Sequence, residues 1–188
     1  KYYKDNLNQD RMDREEILEL LKNKDSKKNA LSRLTQTDKP EIIQEMIKLF
    51  DNENIEIRGE VFSILFLNKN NILKELIIGL NHESKNVRAY TALVLANRNE
   101  KESIQEIIKL TKDSSGLVRT CVYGALGHLG VKEVAKELHE GIFDSNVEAV
   151  KSAAYALSRI GEKISQKEIV EIHRFKDPEF NKILKFFN

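Results

Sequence analysis

The sequence predicts an all-α fold, an α–α superhelix (a right-handed α-solenoid) of about six stacked helix pairs. Three observations predict it. Matching segments recur at Ile57-Arg58, Val87-Arg88, Val118-Arg119 and Ala149-Val150, at offsets of 30, 31 and 31 residues. Two separate helical patterns obey that one period, which is the signature of a repeat architecture. The prolines, glycines and polar turn residues fall between the patterns, where a chain of helical hairpins needs them.

The second helix of each pair carries the clearer columns. Three residues after Arg58, and after each residue matching it, stand apolar or small residues: Val61, Thr91, Val122 and Ala153. Further on come Ile64-Leu65, Val94-Leu95, Ala125-Leu126 and Ala156-Leu157. Spacings of three, four and seven keep these side chains on one helical face. The first helices align as Met46, Leu76, Ile107 and Leu138, and as Ile43, Leu73, Ile104 and Ala135.

In chain order, helices are expected at about 13–22 and 26–36, a loose first pair of the kind that ends a repeat array. Pro40 opens the next, at about 39–50, with fixed φ and no lost hydrogen bond, and Asp38 is its candidate cap. The turn Asp51-Asn52-Glu53-Asn54 leads into a helix at about 55–67. Asn81-His82-Glu83-Ser84 then separates about 70–80 from 84–98, and Asp113-Ser114-Ser115-Gly116 separates about 101–111 from 115–129. Gly130 and Gly161 are placed as left-handed stops, the second closing a pair at about 131–143 and 146–160 around Asp144-Ser145-Asn146. The last pair, about 165–174 and 178–187, starts its second helix at Asp177-Pro178 and carries Phe180, Ile183, Leu184, Phe186 and Phe187. That aromatic load suits a closing cap, the favoured reading, or else a docking face for more protein.

With 40% hydrophobic and 32% charged residues, the 188-residue chain is suited to a folded, helix-rich protein and not to a long disordered segment. Lys plus Arg number 31 against 30 for Asp plus Glu, so the basic excess usual in phosphate-binding proteins is missing and nucleic acid is disfavoured as a partner. The longest apolar run, Val61 to Leu67, is too short to cross a bilayer, so no membrane insertion is expected. A single cysteine, Cys121, excludes an internal disulfide and a multi-thiolate zinc site, and it fits a cytoplasmic protein.

The motif Asp113…Val118-Arg119…Ala125-Leu126-Gly127…Gly130 resembles a HEAT repeat, in the short form also seen in phycobilin lyase-like repeat proteins. On that resemblance residues 1–188 form a single HEAT-like domain, with regular repeats over 13–161 and a divergent capping pair over 162–188. The resemblance implies a structural ladder between neighbouring units, from an Asp in the turn and an Arg opening the second helix. It carries onto Asp51 with Arg58, Asn81 with Arg88, and Asp113 with Arg119. Asn81 departs from the acidic residue and Val150 from the arginine, where Lys151 is the nearest substitute.

In HEAT-like arrays the second helices line a concave binding side. Counting each arginine column as zero, positions two, five and nine point away from the core. They are Glu60, Ser63 and Leu67; Tyr90, Leu93 and Asn97; Cys121, Gly124 and His128; and Ser152, Tyr155 and Arg159. Exposed aromatics beside small residues make shallow pockets. The candidate partner-binding residues are therefore Glu60, Tyr90, Leu93, Asn97, Gly124, His128, Tyr155 and Arg159, for a protein or peptide. The competing reading has the tyrosines and Leu93 filling space between adjacent repeats.

Catalytic chemistry finds little support. His82-Glu83 and His139-Glu140 invite comparison with deoxyhypusine hydroxylase, a HEAT-like enzyme with His-Glu iron ligands. Yet His82 falls in a turn, while His139 falls late in a first helix, in the column of Ile47, Ile77 and Ile108. Ligands of one metal must converge, and these two occupy inequivalent places. Cys121 and His128 are seven residues apart, about 10 Å along a helix, too far for a thiolate–imidazole pair. No catalytic residue, metal ligand or cofactor is assigned. The expected function is a non-catalytic protein-binding scaffold or adaptor. The alternatives are a nucleic-acid-binding HEAT-like module and an accessory protein or lyase of tetrapyrrole or metal chemistry.

Overall fold

A computed structural model describes residues 12–23 and 27–188, which contain helix and no strand. Twelve α-helices lie among these residues, in pairs. They are α1 (Arg14–Lys22) and α2 (Lys27–Gln36), α3 (Pro40–Lys48) and α4 (Ile55–Leu67), and α5 (Leu73–Gly79) and α6 (Lys85–Asn97). There follow α7 (Ile104–Lys109) and α8 (Gly116–Leu129), α9 (Ala135–Gly141) and α10 (Val147–Arg159), and α11 (Gln166–His173) and α12 (Glu179–Leu184). Each falls where the sequence periodicity places a helix, and the chain has the helix-pair architecture of an α-solenoid. The expected start at residue 26 lies outside the described residues.

The first helices are shorter than expected. Tight 3₁₀ turns at Leu49–Asp51, Lys101–Ser103, Leu110–Lys112 and Lys132–Val134 replace their ends. A chain that must reverse within a few residues satisfies its last carbonyls with i→i+3 bonds, and that tightens the final turn.

The chain divides into two compact units, Lys1–Val94 and Leu95–Asn188. In the first, α1 packs on α3 and α4, and α3 on α5. Its core holds Ile43, Met46, Ile57, Val61, Ile64, Leu65, Leu76 and Val87, all buried. In the second, α10 packs against α8, α9 and α12, and buries Ala149, Ala153, Ala156 and Leu157 against Val122, Leu126 and Leu138. The matched columns therefore point inward. Leu73, Ile104 and Ala135 are only half-buried.

The punctuation is partly as expected. Gly130 (φ 69°) and Gly161 (φ 77°) take the left-handed conformation, and Asn99 (φ 57°) does so one period before Gly130. Pro40 is the first residue of α3, but Lys39 and not Asp38 is its cap, without a side-chain hydrogen bond. The Thr37 hydroxyl accepts the Lys39 N–H at 3.2 Å instead. Pro178 itself caps α12, and Asp177 Oδ1 accepts the Glu179 N–H at 3.0 Å.

One core position is imperfect. Thr91 is fully buried in the column of Val61 and Val122, and its hydroxyl has no hydrogen-bond partner among the described residues. An orphaned buried hydroxyl is costly, whereas valine of the same shape is not. Thr91→Val is expected to stabilise the protein by about 1 kcal/mol, read as a rise in thermal midpoint; an unchanged or lower midpoint refutes the assignment.

Candidate functional site

In the first unit the site is built on the start of α4. The Asn54 side chain caps that helix by accepting the Glu56 N–H at 2.9 Å. Arg58, one turn in, folds back so that Nη1 donates to the carbonyls of Asn52 (2.8 Å) and Glu53 (3.2 Å). Its guanidinium carbon lies 5.8 Å from the centroid of the Tyr90 ring, in cation–π range. Tyr90 in turn leans on Phe50 at 5.6 Å between centroids. Tyr90 and Leu93, both half-buried, join Phe50, Ile55, Gly59 and Phe62 around an open, apolar groove of about 290 Å³. Ile55 at its edge is 71% exposed. Tyr90 thus does both things the sequence allowed, packing on a neighbour with one part of its ring and lining open space with another. Glu60 is half-buried, and Ser63 and Leu67 are exposed.

The second unit presents different chemistry at the equivalent positions. Asn97 is exposed at the end of α6. Gly124 lets Ser152 approach; a Cβ there would stand 3.3 Å from Ser152 Oγ, which donates to the Thr120 carbonyl at 2.7 Å. His128 and Arg159 are both exposed, with Arg159 Nη2 3.4 Å from His128 Nδ1. Tyr155 is half-buried, its ring 5.8 Å from that of Phe186, which is exposed. Burial pushes the Cys121 thiol up to about 11, so no thiolate nucleophile is available near neutral pH.

The arginine ladder forms in a different register from the expected one. In each turn one side chain accepts the N–H two residues on: Asn52 from Asn54, His82 from Ser84, Asp113 from Ser115 and Asp144 from Asn146. The arginines reach back to the carbonyls of these same residues: Arg58 to Asn52, Arg88 to His82 and Arg119 to Asp113. The column is therefore Asn52, His82, Asp113 and Asp144, and the expected partners Asp51 and Asn81 stand one residue too early. The column residue stands six positions before Arg58, Arg88, Arg119 and Val150 alike, so the four turns share one register and Asp51 and Asn81 fall outside it. Asp51 instead accepts from Ser84 Oγ (2.7 Å) and Asn86 Nδ2 (3.2 Å).

Arg119 also reaches forward, pairing Nε with Asp144 Oδ2 at 2.7 Å and Nη2 with Oδ1 at 3.0 Å. This bidentate geometry outweighs the burial that would raise the Asp144 pKa, and holds it below its ordinary value. One unit later Lys151 takes the arginine's place. It is buried, with Nζ 2.7 Å from Asp177 and Glu179 and 3.3 Å from Glu148.

Sequence reasoning missed a cluster around His139. Its Nδ1 lies 2.6 Å from Glu168 and its Nε2 3.4 Å from Glu162. Glu168 is also the N3 residue of a capping box with Ser165. The Ser-x-x-Glu pattern is readable in the chain; the second use of Glu168 is not. No group of three or more His, Cys, Asp or Glu side chains suited to holding a metal ion occurs among the described residues. Nor, among them, is any helix long and apolar enough to cross a membrane.

A family model for HEAT repeats matches residues 73–171. No curated protein matches the chain. Among solved structures, a designed armadillo repeat protein in complex with the peptide (KR)4 is similar, with a TM-score of 0.51 and 16% identity. That match covers 92% of this chain and 98% of the designed one. At this identity the likeness concerns fold alone.

Proposed function

Because the chain belongs to the HEAT-repeat family, we propose that it is a non-catalytic protein-binding scaffold or adaptor that recognises its partner with the second helices of its pairs. The observation that carries this reading is the open apolar groove around Tyr90 and Leu93 in the first unit. Half-exposed aromatic and aliphatic side chains on a rigid helical frame are the usual anchors of protein recognition. Glu60 belongs to the same surface. In the second unit the reading assigns Asn97, Gly124, His128, Tyr155 and Arg159. Treating both units as one repeat domain is part of this proposal, and the HEAT-repeat match runs across the boundary between them. The designed armadillo protein, bound to a peptide, illustrates such use of the fold. No specific observation favours nucleic acid, tetrapyrrole or metal chemistry.

Affinity capture with the intact protein and with a Tyr90→Ala/Tyr155→Ala double variant tests the proposal. Partners held by the intact chain are expected to be lost from the double variant, with a thermal midpoint lowered by only a few degrees. Unchanged capture by a markedly less stable variant would show that the tyrosines serve packing alone.

A further inference from the structure

Arg58 is the charged residue among those lining the groove, and its hydrogen bonding is incomplete. Arg119 makes two kinds of contact, back to the carbonyl of its own turn and forward to the carboxylate of Asp144 in the next. Arg58 makes only the backward one, through Nη1; its Nε and Nη2 donate no hydrogen bond among the described residues. The forward place, the column residue of the next turn, is held by His82. His82 Nδ1 accepts the Ser84 N–H at 3.0 Å, so the remaining ring nitrogen carries the proton and only donates. His82 therefore gives Arg58 no counterpart of the Asp144 carboxylate, and the guanidinium lies over Tyr90 beside an apolar groove.

We propose that this groove binds a segment of a partner protein through one large apolar side chain and one neighbouring Asp or Glu, whose carboxylate takes the ladder place that His82 leaves unfilled. The inference rests on the protein-binding reading above and names what that surface accepts. About 290 Å³ lies at the lower limit of small-molecule pockets and accommodates a large side chain. Phe50, Phe62, Tyr90 and Leu93 supply apolar contact, and the guanidinium fork fits a carboxylate in the bidentate manner of Arg119 with Asp144. Glu53 and Glu56 are exposed and make no ion pair among the described residues. They repel a run of acidic side chains, so a single carboxylate next to the apolar anchor is the preferred pattern.

Two substitutions test the groove without threatening the fold. A Cβ at Gly59 meets nothing within 4 Å, so Gly59→Leu fills the groove and leaves the core intact. His82→Asp can accept the Ser84 N–H as Asp113 and Asp144 accept theirs, and can pair with Arg58 as Asp144 does with Arg119. A random peptide library, displayed with both peptide ends blocked, is selected on the intact protein. Enriched peptides are then measured against both variants and against Lys136→Ala as the control. The expected peptides share a large apolar residue adjacent to one Asp or Glu. Gly59→Leu and His82→Asp each weaken them at least about tenfold, Lys136→Ala on the exposed side of a first helix does not, and the thermal midpoint of His82→Asp rises. Enriched peptides without that pattern, or peptides indifferent to both groove variants, overturn the assignment while the scaffold reading stands. A selection that enriches nothing also overturns it. If the Tyr90/Tyr155 variant then keeps its captured partners, the tyrosine surface falls as the binding site as well; if the intact chain captures no partner, the scaffold reading falls.

Discussion

Gly127→Ala is expected to lower the thermal midpoint by several degrees, although alanine is the better helix former. Within a helix the exchange by itself gains about 0.5–1 kcal/mol from reduced chain entropy. At Gly127 the added Cβ would stand 2.5 Å from the Ala156 Cβ and 2.7 Å from its Cα. Backbone cannot yield as a flexible side chain does, so α8 and α10 must separate. Overpacking of this kind costs about 1–3 kcal/mol, and a backbone clash belongs at or beyond the upper end. The steric term wins, for a net loss of about 2 kcal/mol or more, or about 4–8 °C in a chain of this size. Gly141 repeats the device on α9, with a Cβ that would meet the Ala153 Cβ at 2.7 Å. Together the two glycines seat α10 tightly between its neighbours. Gly59→Ala is the control, because its Cβ would meet nothing, and its midpoint is expected to hold or rise. Equal effects at 59 and 127 would remove the close approach as the reason for glycine.

The second large effect is a dependence of stability on pH centred on His139. Burial lowers the pKa of this imidazole, but hydrogen bonds and charge from Glu168 and Glu162 outweigh it and hold the pKa above the ordinary 6.5. For Glu168 the burial that would raise its pKa is likewise outweighed by His139 and Ser165, and the carboxyl stays below its ordinary 4.5. The signs follow from linkage. A histidine raised in the folded state contributes fully below its unfolded value and loses that contribution as pH climbs through the folded value. A depressed carboxyl contributes above its unfolded value and loses it as pH falls through the folded one. The pair therefore contributes most between pH 4.5 and 6.5, with stability falling on both sides. His139 is about one-third exposed, which weakens the pair by screening, and removing it by His139→Gln is expected to cost about 1–2 kcal/mol near pH 6. Thermal midpoints measured across this range should show the alkaline decline in the parent and its flattening in His139→Gln. Parallel curves would exclude His139 as its source.

Much of the architecture was legible because burial in a helix is decided by spacing along the chain. Residues such as Val61, Val122 and Ala153 recur on one face whatever surrounds them, and they are buried. Gly130 and Gly161 were legible for a related reason, since a left-handed stop is a property of one residue's backbone. The ladder was legible only in its ingredients. Which turn residue accepts the N–H depends on how the turn folds: the residue six before each arginine takes the role, so it falls to Asn52 and His82 and not to Asp51 and Asn81.

By itself the chain determined the helix pairs, their period and the face each buries, all of which follow from short-range periodicity. Only the tertiary structure decided that Tyr90 rests on Phe50 beside an open groove, that Arg58 lacks the acceptor Arg119 has, and that His139 meets Glu168 29 residues away. Those contacts join residues of different helices. Their existence depends on how closely the helices approach, which is fixed by side-chain volumes across the interface and carries no periodic trace along the chain.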